Sequence, residues 1–169
     1  MIIFEERTQE LVFVLPPNIR GEGVNAISFP INFYWAKDSK EVNQYLKLKD
    51  RPYPLIILVR SPEKLKNRLS EEVTRKCRFI LAVSEPNTDL LNTDRWESSY
   101  KAVLNPLAEN FLYALEASTI SRLHDDFGLD RVPNYAEADK NNQIDIWDVV
   151  VIDCTVSFNN NCLKPLIWE

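Results

Sequence analysis

His124-Asp125-Asp126 is the residue group most suggestive of a metal or acid–base site, because imidazole and carboxylate groups bind metal ions and exchange protons. Adjacent residues on a regular element, however, do not face one common site. His124 is also the only histidine of the sequence, whereas a typical zinc set needs further His or Cys ligands. We therefore predict a surface loop at this position.

The alternate spacing of Asp139, Asn141 and Gln143 resembles the start of a calcium-binding loop. Ile144 stands where such a loop needs glycine, and Val150 stands where it needs glutamate. Two defining positions of the loop therefore differ, and we expect no calcium site.

Asp145, Asp148 and Asp153 could in principle supply the carboxylates of a two-metal nuclease. In a strand, Asp148 and Asp153 lie on opposite faces by parity, so their side chains would not converge. We favour structural roles for them. A metal-dependent nuclease or hydrolase subunit that uses the acidic residues of 145–153 stays open as the alternative enzyme hypothesis.

Nucleophilic catalysis has no recognisable motif in the sequence. There is no G-x-S-x-G turn, and the single histidine has no cysteine in a suitable sequence context. Cys77, Cys154 and Cys162 are widely spaced and form no C-x-x-C pair, so we expect buried, reduced thiols. We predict no catalytic residue, no cofactor-binding residue and no metal ligand, and we therefore expect a protein that is not an enzyme.

Composition argues against the common nucleic-acid and nucleotide binders. The net charge is −5 and the chain has only three glycines, which leaves few clustered cations for duplex DNA and few close-approach loops for phosphates. Phe33, Tyr34 and Trp35 could stack on bases, but no Lys or Arg is interleaved with them. We predict that these aromatics form a core strand.

The length of 169 residues and the apolar fraction of 45% predict a single domain over 1–169. The N-terminus has no basic region and no small-residue cleavage site, and no apolar run approaches the roughly 20 residues of a bilayer span. We expect a soluble protein that is made in the cytoplasm and has no membrane contact.

The apolar pattern predicts an α+β fold, with a mainly antiparallel sheet of about four to five strands packed against one long kinked helix and shorter helices. The long helix runs from about Asp94 to Ser118, and Pro106 should kink it. Residues 2–15 fit a helix or a strand. The remaining predictions are strands over 27–35, 55–60, 77–84 and 146–158, a short helix over 38–48, and an irregular region over 119–143.

Two segments could contact other subunits. The charged segment 61–76 is either a solvated connection or a protruding arm, and the C-terminal tail 163–169 carries Trp168, which must dock on its own domain or on a neighbour. The candidate subunit-interface residues are Glu63, Arg68, Arg75 and Trp168.

The order of elements resembles structural proteins of tailed bacteriophages, in particular the neck ring and tail-terminator group. Leu-Asn-Pro-Leu at 104–107 and Asp-Ile-Trp-Asp at 145–148 carry most of this resemblance. The other matching segments are Tyr53-Pro54-Leu55-Ile56-Ile57-Leu58, the strand 78–84, the helix with Tyr100 and Val103, and the strand that ends at Cys154.

This resemblance implies a virion protein without catalytic residues. Its subunits would assemble side by side into a six- or twelve-fold homo-oligomeric ring, as a head–tail connector or as a tail terminator. The partners implied are portal, neck or tail proteins, and DNA would pass through the lumen without sequence-specific binding. A small adaptor protein that forms no ring stays open as another hypothesis.

Overall fold

A computed structural model describes residues 4–13, 31–46, 53–59, 72–84, 90–135 and 147–159. Helices and strands alternate only at the start of the chain; β2 leads directly to β3, three helical elements follow, and three strands come last. The helical elements are α1 (Phe4–Phe13), α2 (Ser39–Leu46), α3 (Asn92–Arg95), a π-helical segment (Trp96–Leu104) and α4 (Asn105–Ala117). The strands are β1 (Asn32–Ala36), β2 (Leu55–Val59), β3 (Glu72–Ser84), β4 (Ser121–Leu123), β5 (Gly128–Tyr135) and β6 (Trp147–Asn159).

The six strands form one mixed sheet in the order β1-β2-β3-β6-β4, and β5 pairs with β6 beside β4. The predicted α+β class is confirmed, but the expectation of four to five mainly antiparallel strands is corrected. β1 and β2 run parallel because the chain between them returns through α2, whereas the other pairings are antiparallel. β4 and β5 lie inside the region 119–143 that we expected to be irregular.

The ambiguity of residues 2–15 is settled in favour of a helix for the described residues. α1 buries Phe4, Leu11 and Val12, which recur at helical spacing. The Thr8 hydroxyl donates to the Phe4 carbonyl one turn earlier at 2.9 Å. α1 thus covers part of the sheet with one apolar stripe.

The predicted long helix is confirmed as a continuous helical run of α3, the π-helical segment and α4. Its irregularity lies directly before Pro106, where the Asn105 N–H donates to the Tyr100 carbonyl five residues back. Proline has no N–H and crowds the carbonyl four residues earlier, so a wider π-type turn accommodates it. Pro106 then stands in the first turn of α4.

The two faces of the sheet carry separate cores, which we call the helix face and the α2 face. On the helix face, the long helix and α1 pack on alternate residues of the central strands; this core contains Ile56, Leu58, Phe79, Leu81, Phe111, Val150, Ile152, Val156 and Phe158. On the α2 face, a smaller core contains Val42, Leu55, Ile57, Ile80, Ala82, Trp147 and Val149. β2 is buried along its full length, as its uninterrupted apolar sequence predicts.

The strand predicted over 77–84 begins earlier than expected and includes part of the possible arm. Residues 72–76, the last part of the possible arm over 61–76, are the first five residues of β3 and pair with β6. The rest of that segment and the tail 163–169 lie outside the described residues. In the described part of the chain, no helix combines the length and apolarity that a membrane crossing requires.

Candidate functional site

The α2 face becomes polar beyond its core. The pairing of β3 with β6 aligns Thr74 with Ser157, Lys76 with Thr155, and Arg78 with Asp153. Because side chains alternate along strands, these six residues share one face. We call this set the polar row: Thr74, Lys76, Arg78, Asp153, Thr155 and Ser157.

The loop after β4 binds to the polar row at several points. His124 Nε2 lies 2.8 Å from Ser157 Oγ, and Ser157 Oγ lies 2.6 Å from Thr74 Oγ1. The Thr155 hydroxyl donates to the Asp126 carboxylate at 3.0 Å, and the His124 N–H donates to the Thr155 carbonyl at 3.0 Å. His124-Asp125-Asp126 is therefore a loop, as predicted, that is anchored on β6.

The pairing of His124 with Ser157 resembles a catalytic dyad, and it is not predictable from the sequence pattern. The two residues are 33 positions apart and no local motif connects them. Ser157 is only 2% exposed, however, and its hydroxyl contacts both His124 and Thr74. A nucleophile must reach a substrate carbon, so this buried hydroxyl is suited to holding the loop on the sheet.

The acidic residues of β6 do not converge. Asp148 lies on the helix face, where its Oδ1 accepts from Arg95 Nη1 at 2.6 Å. Asp153 lies on the α2 face and accepts from Arg78 Nε at 2.9 Å and Nη2 at 3.0 Å. The predicted separation of the two carboxylates is confirmed, which removes the geometry that a shared two-metal site needs.

The buried Arg95–Asp148 pair influences the neighbouring Tyr100. The Tyr100 hydroxyl donates to the Val149 carbonyl at 3.4 Å. Burial raises the pKa of this phenol above its ordinary value, and the nearby Asp148 carboxylate raises it further. Tyr100 therefore stays a neutral hydrogen-bond donor in the neutral pH range.

A metal site requires several ligand side chains that lie close together. Within the ranges that the structure describes, no group of three His, Cys, Asp or Glu side chains could hold a metal ion. Asp145 and the calcium-loop candidates Asp139, Asn141 and Gln143 lie outside those ranges.

An open cavity of about 480 Å³ lies between the start of α2 and the polar row. It is lined by Ser39, Val59, Lys76, Cys77, Arg78, Asp126, Asp153, Cys154 and Thr155. Two of its polar contacts are internal: Arg78 pairs with Asp153, and Thr155 binds Asp126. These four side chains bind each other, so the cavity is a surface groove in which their polar groups are already hydrogen-bonded.

The aromatic strand β1 is more exposed than its sequence suggests. Tyr34 is partly buried and packs against the core of the α2 face; its ring stacks on Tyr45 at 4.2 Å between centroids, and its hydroxyl donates to Glu41 at 2.6 Å. Burial and this hydrogen bond raise the pKa of Tyr34 to about 12. Trp35 is 44% exposed, so the prediction that all three aromatics lie in the core is wrong for Trp35, because β1 is the first strand of the sheet.

A second exposed tryptophan lies near the opposite edge of the sheet, next to β5. Trp96, in the π-helical segment, is 43% exposed and stacks on Tyr100 with ring centroids 5.9 Å apart. The guanidinium of Arg131, on β5, lies 5.5 Å from the centre of the Trp96 ring, and its Nε donates to Asn105 Oδ1 at 2.8 Å. Trp96 is thus held between the long helix and β5.

Of the four predicted interface residues, the structure describes Arg75. Its Nη1 donates to Glu5 Oε1 at 2.9 Å, and its guanidinium lies 4.8 Å from the centre of the Phe4 ring. These contacts connect β3 to α1 within one subunit. The subunit-contact role of Arg75 stays a prediction, as do those of Glu63, Arg68 and Trp168, which lie outside the described residues.

No protein-family model, curated protein or solved structure matches this chain in the three comparisons made.

Proposed function

We propose that this protein is a non-enzymatic structural subunit that assembles head to tail into a homo-oligomeric ring. The observation that carries the proposal is an exposed tryptophan at each side of the sheet: Trp35 on β1, and Trp96 against Arg131 of β5. We call Phe33 and Trp35 the β1 surface, and Trp96 and Arg131 the β5 surface.

The placement of these two surfaces suits a ring. A head-to-tail contact joins two different patches of the same subunit, and repeated rotation closes the ring. β1 begins the strand order, whereas β5 pairs with β6 on the side away from β3. Each subunit can therefore offer one aromatic surface to the copy on its left and another to the copy on its right.

The residue types at both surfaces are those that dominate binding energies. Trp, Tyr and Arg are enriched among the few interface residues whose truncation costs more than about 2 kcal/mol. Single exposed aromatics are ordinary on protein surfaces, so exposure alone does not mark an interface. Trp96 is in addition already ordered by Tyr100 and Arg131, which lowers the entropy cost of binding.

The two edges also differ in their capacity for strand pairing. β1 contains no charged residue and no proline, whereas β5 contains Pro133 and an irregular register between Val132 and Tyr135. Proline and bulges prevent further strands from pairing with an edge. The contact between copies would therefore be made by side chains, and the sheet would not continue from one subunit to the next.

The resemblance to phage neck and tail-terminator proteins suggests where such a ring would act. We propose a virion ring of six or twelve subunits at the portal–tail junction, with portal, neck or tail proteins as neighbours. The net charge of −5 suits a channel through which DNA passes without being held, because like charges repel. Asp148, Asp153 and the His124–Ser157 pair are engaged in internal contacts, which favours this role over the hydrolase alternative.

The test is the absolute mass of the purified protein by light scattering, with negative-stain imaging of the same fractions. We expect rings of six or twelve copies of the 19.7 kDa chain. Trp35→Ala and Trp96→Ala should each shift the mass toward a single chain, whereas Phe127→Ala, at an equally exposed aromatic, should leave the ring intact. A 19.7 kDa species at all concentrations, with or without neck partners, would overturn the proposal.

A further inference from the structure

Two of the three cysteines face each other across the central strand pair. Cys77 on β3 and Cys154 on β6 are directly opposed in the antiparallel register, and both belong to the core of the helix face. Opposed residues in such a pair have Cα atoms about 4.5–5.5 Å apart. This separation lies within the range of about 4.4–6.8 Å that disulfides span.

We infer that Cys77 and Cys154 are a reversible dithiol–disulfide pair that can link β3 to β6 covalently. The structure contains both as free thiols, which is the reduced form of the pair. The sequence predicts buried, reduced thiols but not their pairing, because 77 positions separate the two residues and no C-x-x-C motif is present. The strand register brings them together.

The chemistry requires an oxidant, and a small-molecule disulfide such as oxidised glutathione suffices. The thiolate of one cysteine attacks the glutathione disulfide, forms a mixed disulfide and releases one glutathione thiolate. The thiolate of the second cysteine then attacks the protein sulfur of that mixed disulfide and releases the second glutathione. The protein loses two protons and two electrons, and oxidised glutathione is reduced to two thiols.

The surroundings make this reaction slow at neutral pH. Burial raises the pKa of the Cys154 thiol to about 12, and it raises the pKa of Cys77 as well, which the neighbouring Cys154 raises further. Only the thiolate attacks a disulfide, so the rate should increase with pH as the thiolate fraction grows. Once formed, the bridge would be protected by the same burial.

A bridge at this position would reinforce the longest strand pairing of the sheet. β3 and β6 are paired from Glu72 and Asn159 to Ser84 and Trp147. A disulfide between residues far apart in sequence restricts the unfolded chain more than one across a short loop. Oxidation should therefore raise the melting temperature by several degrees, and reduction should reverse that rise.

The experiment incubates the full-length protein with oxidised glutathione at a pH of about 9, where thiolate is more abundant. We expect an intact mass lower by about 2 Da, a proteolytic peptide that joins Cys77 to Cys154, and full reversal by dithiothreitol. Cys162→Ser should behave like the wild type, and Cys77→Ser and Cys154→Ser should lose the effect.

Three results would overturn the inference: an unchanged mass with all thiols still open to alkylation after unfolding, a mixed glutathione disulfide that persists, or a bridge to Cys162. The peptide map uses the wild-type chain, so it decides the question even if a core variant does not fold.

Discussion

Two arginine–aspartate pairs, each with its aspartate on β6, differ in their burial and in the elements that they join. Asp148 and Asp153 both belong to β6 and lie on opposite faces of the sheet. The side chains of Arg95 and Asp148 are 2% and 0% exposed, whereas those of Arg78 and Asp153 are 46% and 49% exposed. The first pair joins the long helix to the sheet, and the second joins two neighbouring strands.

The two faces of the sheet therefore use the same kind of ion pair for different purposes. A buried ion pair adds little net stability over an apolar pair, but it penalises any packing that separates its charges. The Arg95–Asp148 pair therefore fixes the position of the long helix, and with it Trp96, on the sheet. An exposed pair in water is screened and weak, so Arg78 and Asp153 lie on a solvated surface and add little to the stability of the fold.

The largest predicted effect comes from breaking the buried pair. Asp148→Ala should lower the free energy of unfolding by about 3–5 kcal/mol, because it leaves the Arg95 guanidinium buried without its carboxylate. Chemical denaturation measures this. The double variant Arg95→Met with Asp148→Leu should recover most of the loss, and a double variant as unstable as Asp148→Ala would contradict this account.

Alkaline pH should lower the free energy of unfolding by up to a few kcal/mol at a pH of about 11, because groups on both faces of the sheet titrate. The folded-state pKa values of Cys77, Cys154, Tyr100 and Tyr34 are raised by burial. Above the ordinary values of 9.0 for Cys and 10.0 for Tyr, the unfolded chain loses these protons while the folded chain keeps them. This stability is present below pH 9 and is lost as pH rises toward 12.

Melting temperatures between neutral and alkaline pH, measured under reducing conditions, check this prediction. Tyr34→Phe should reduce the slope above pH 10, since it removes one raised phenol. A melting temperature that stays constant up to pH 11 would contradict it.

On the polar row, Ser157→Ala should cost about 0.5–1.5 kcal/mol, the usual contribution of a hydrogen-bonded hydroxyl. His124 is half-buried and can take water in its place, so the loss should not reach the effect of Asp148→Ala. Ser98→Ala, at an exposed helix position, is the matched control and should be close to neutral. The free energies of unfolding of the two variants, from denaturation curves, should differ by about 0.5–1.5 kcal/mol.

The smallest effect belongs to the exposed pair. Asp153→Ala and Arg78→Ala should each change the free energy of unfolding by less than about 1 kcal/mol. Added salt should reduce even this difference, since exposed charges are screened. A loss similar to that of Asp148→Ala would erase the contrast between the two faces.

The features that follow a simple period were predictable from the sequence. The long helix was predicted from apolar spacing, and the opposite placement of Asp148 and Asp153 from strand parity. The first residues of β3 were missed because Glu72, Thr74 and Lys76 point outward and make the strand look like a solvated segment. β5 was missed because Pro133 masks a strand whose pairing depends on β6.

Contacts between distant residues could not be predicted. His124 with Ser157 and Cys77 with Cys154 depend on which strands become neighbours. The exposure of Trp35 and Trp96 likewise depends on where their elements lie in the sheet, since periodicity alone favours burial of both aromatics.

The proposed ring requires two different surfaces of one chain to bind each other, and mixing two variants shows whether they do. Trp35→Glu blocks the β1 surface and leaves the β5 surface intact, whereas Trp96→Glu does the reverse. Each variant alone should be a single chain of 19.7 kDa by light scattering. Mixed in equal amounts, they should form a complex of twice that mass through their intact surfaces, and a mixture that stays at 19.7 kDa would contradict the head-to-tail contact.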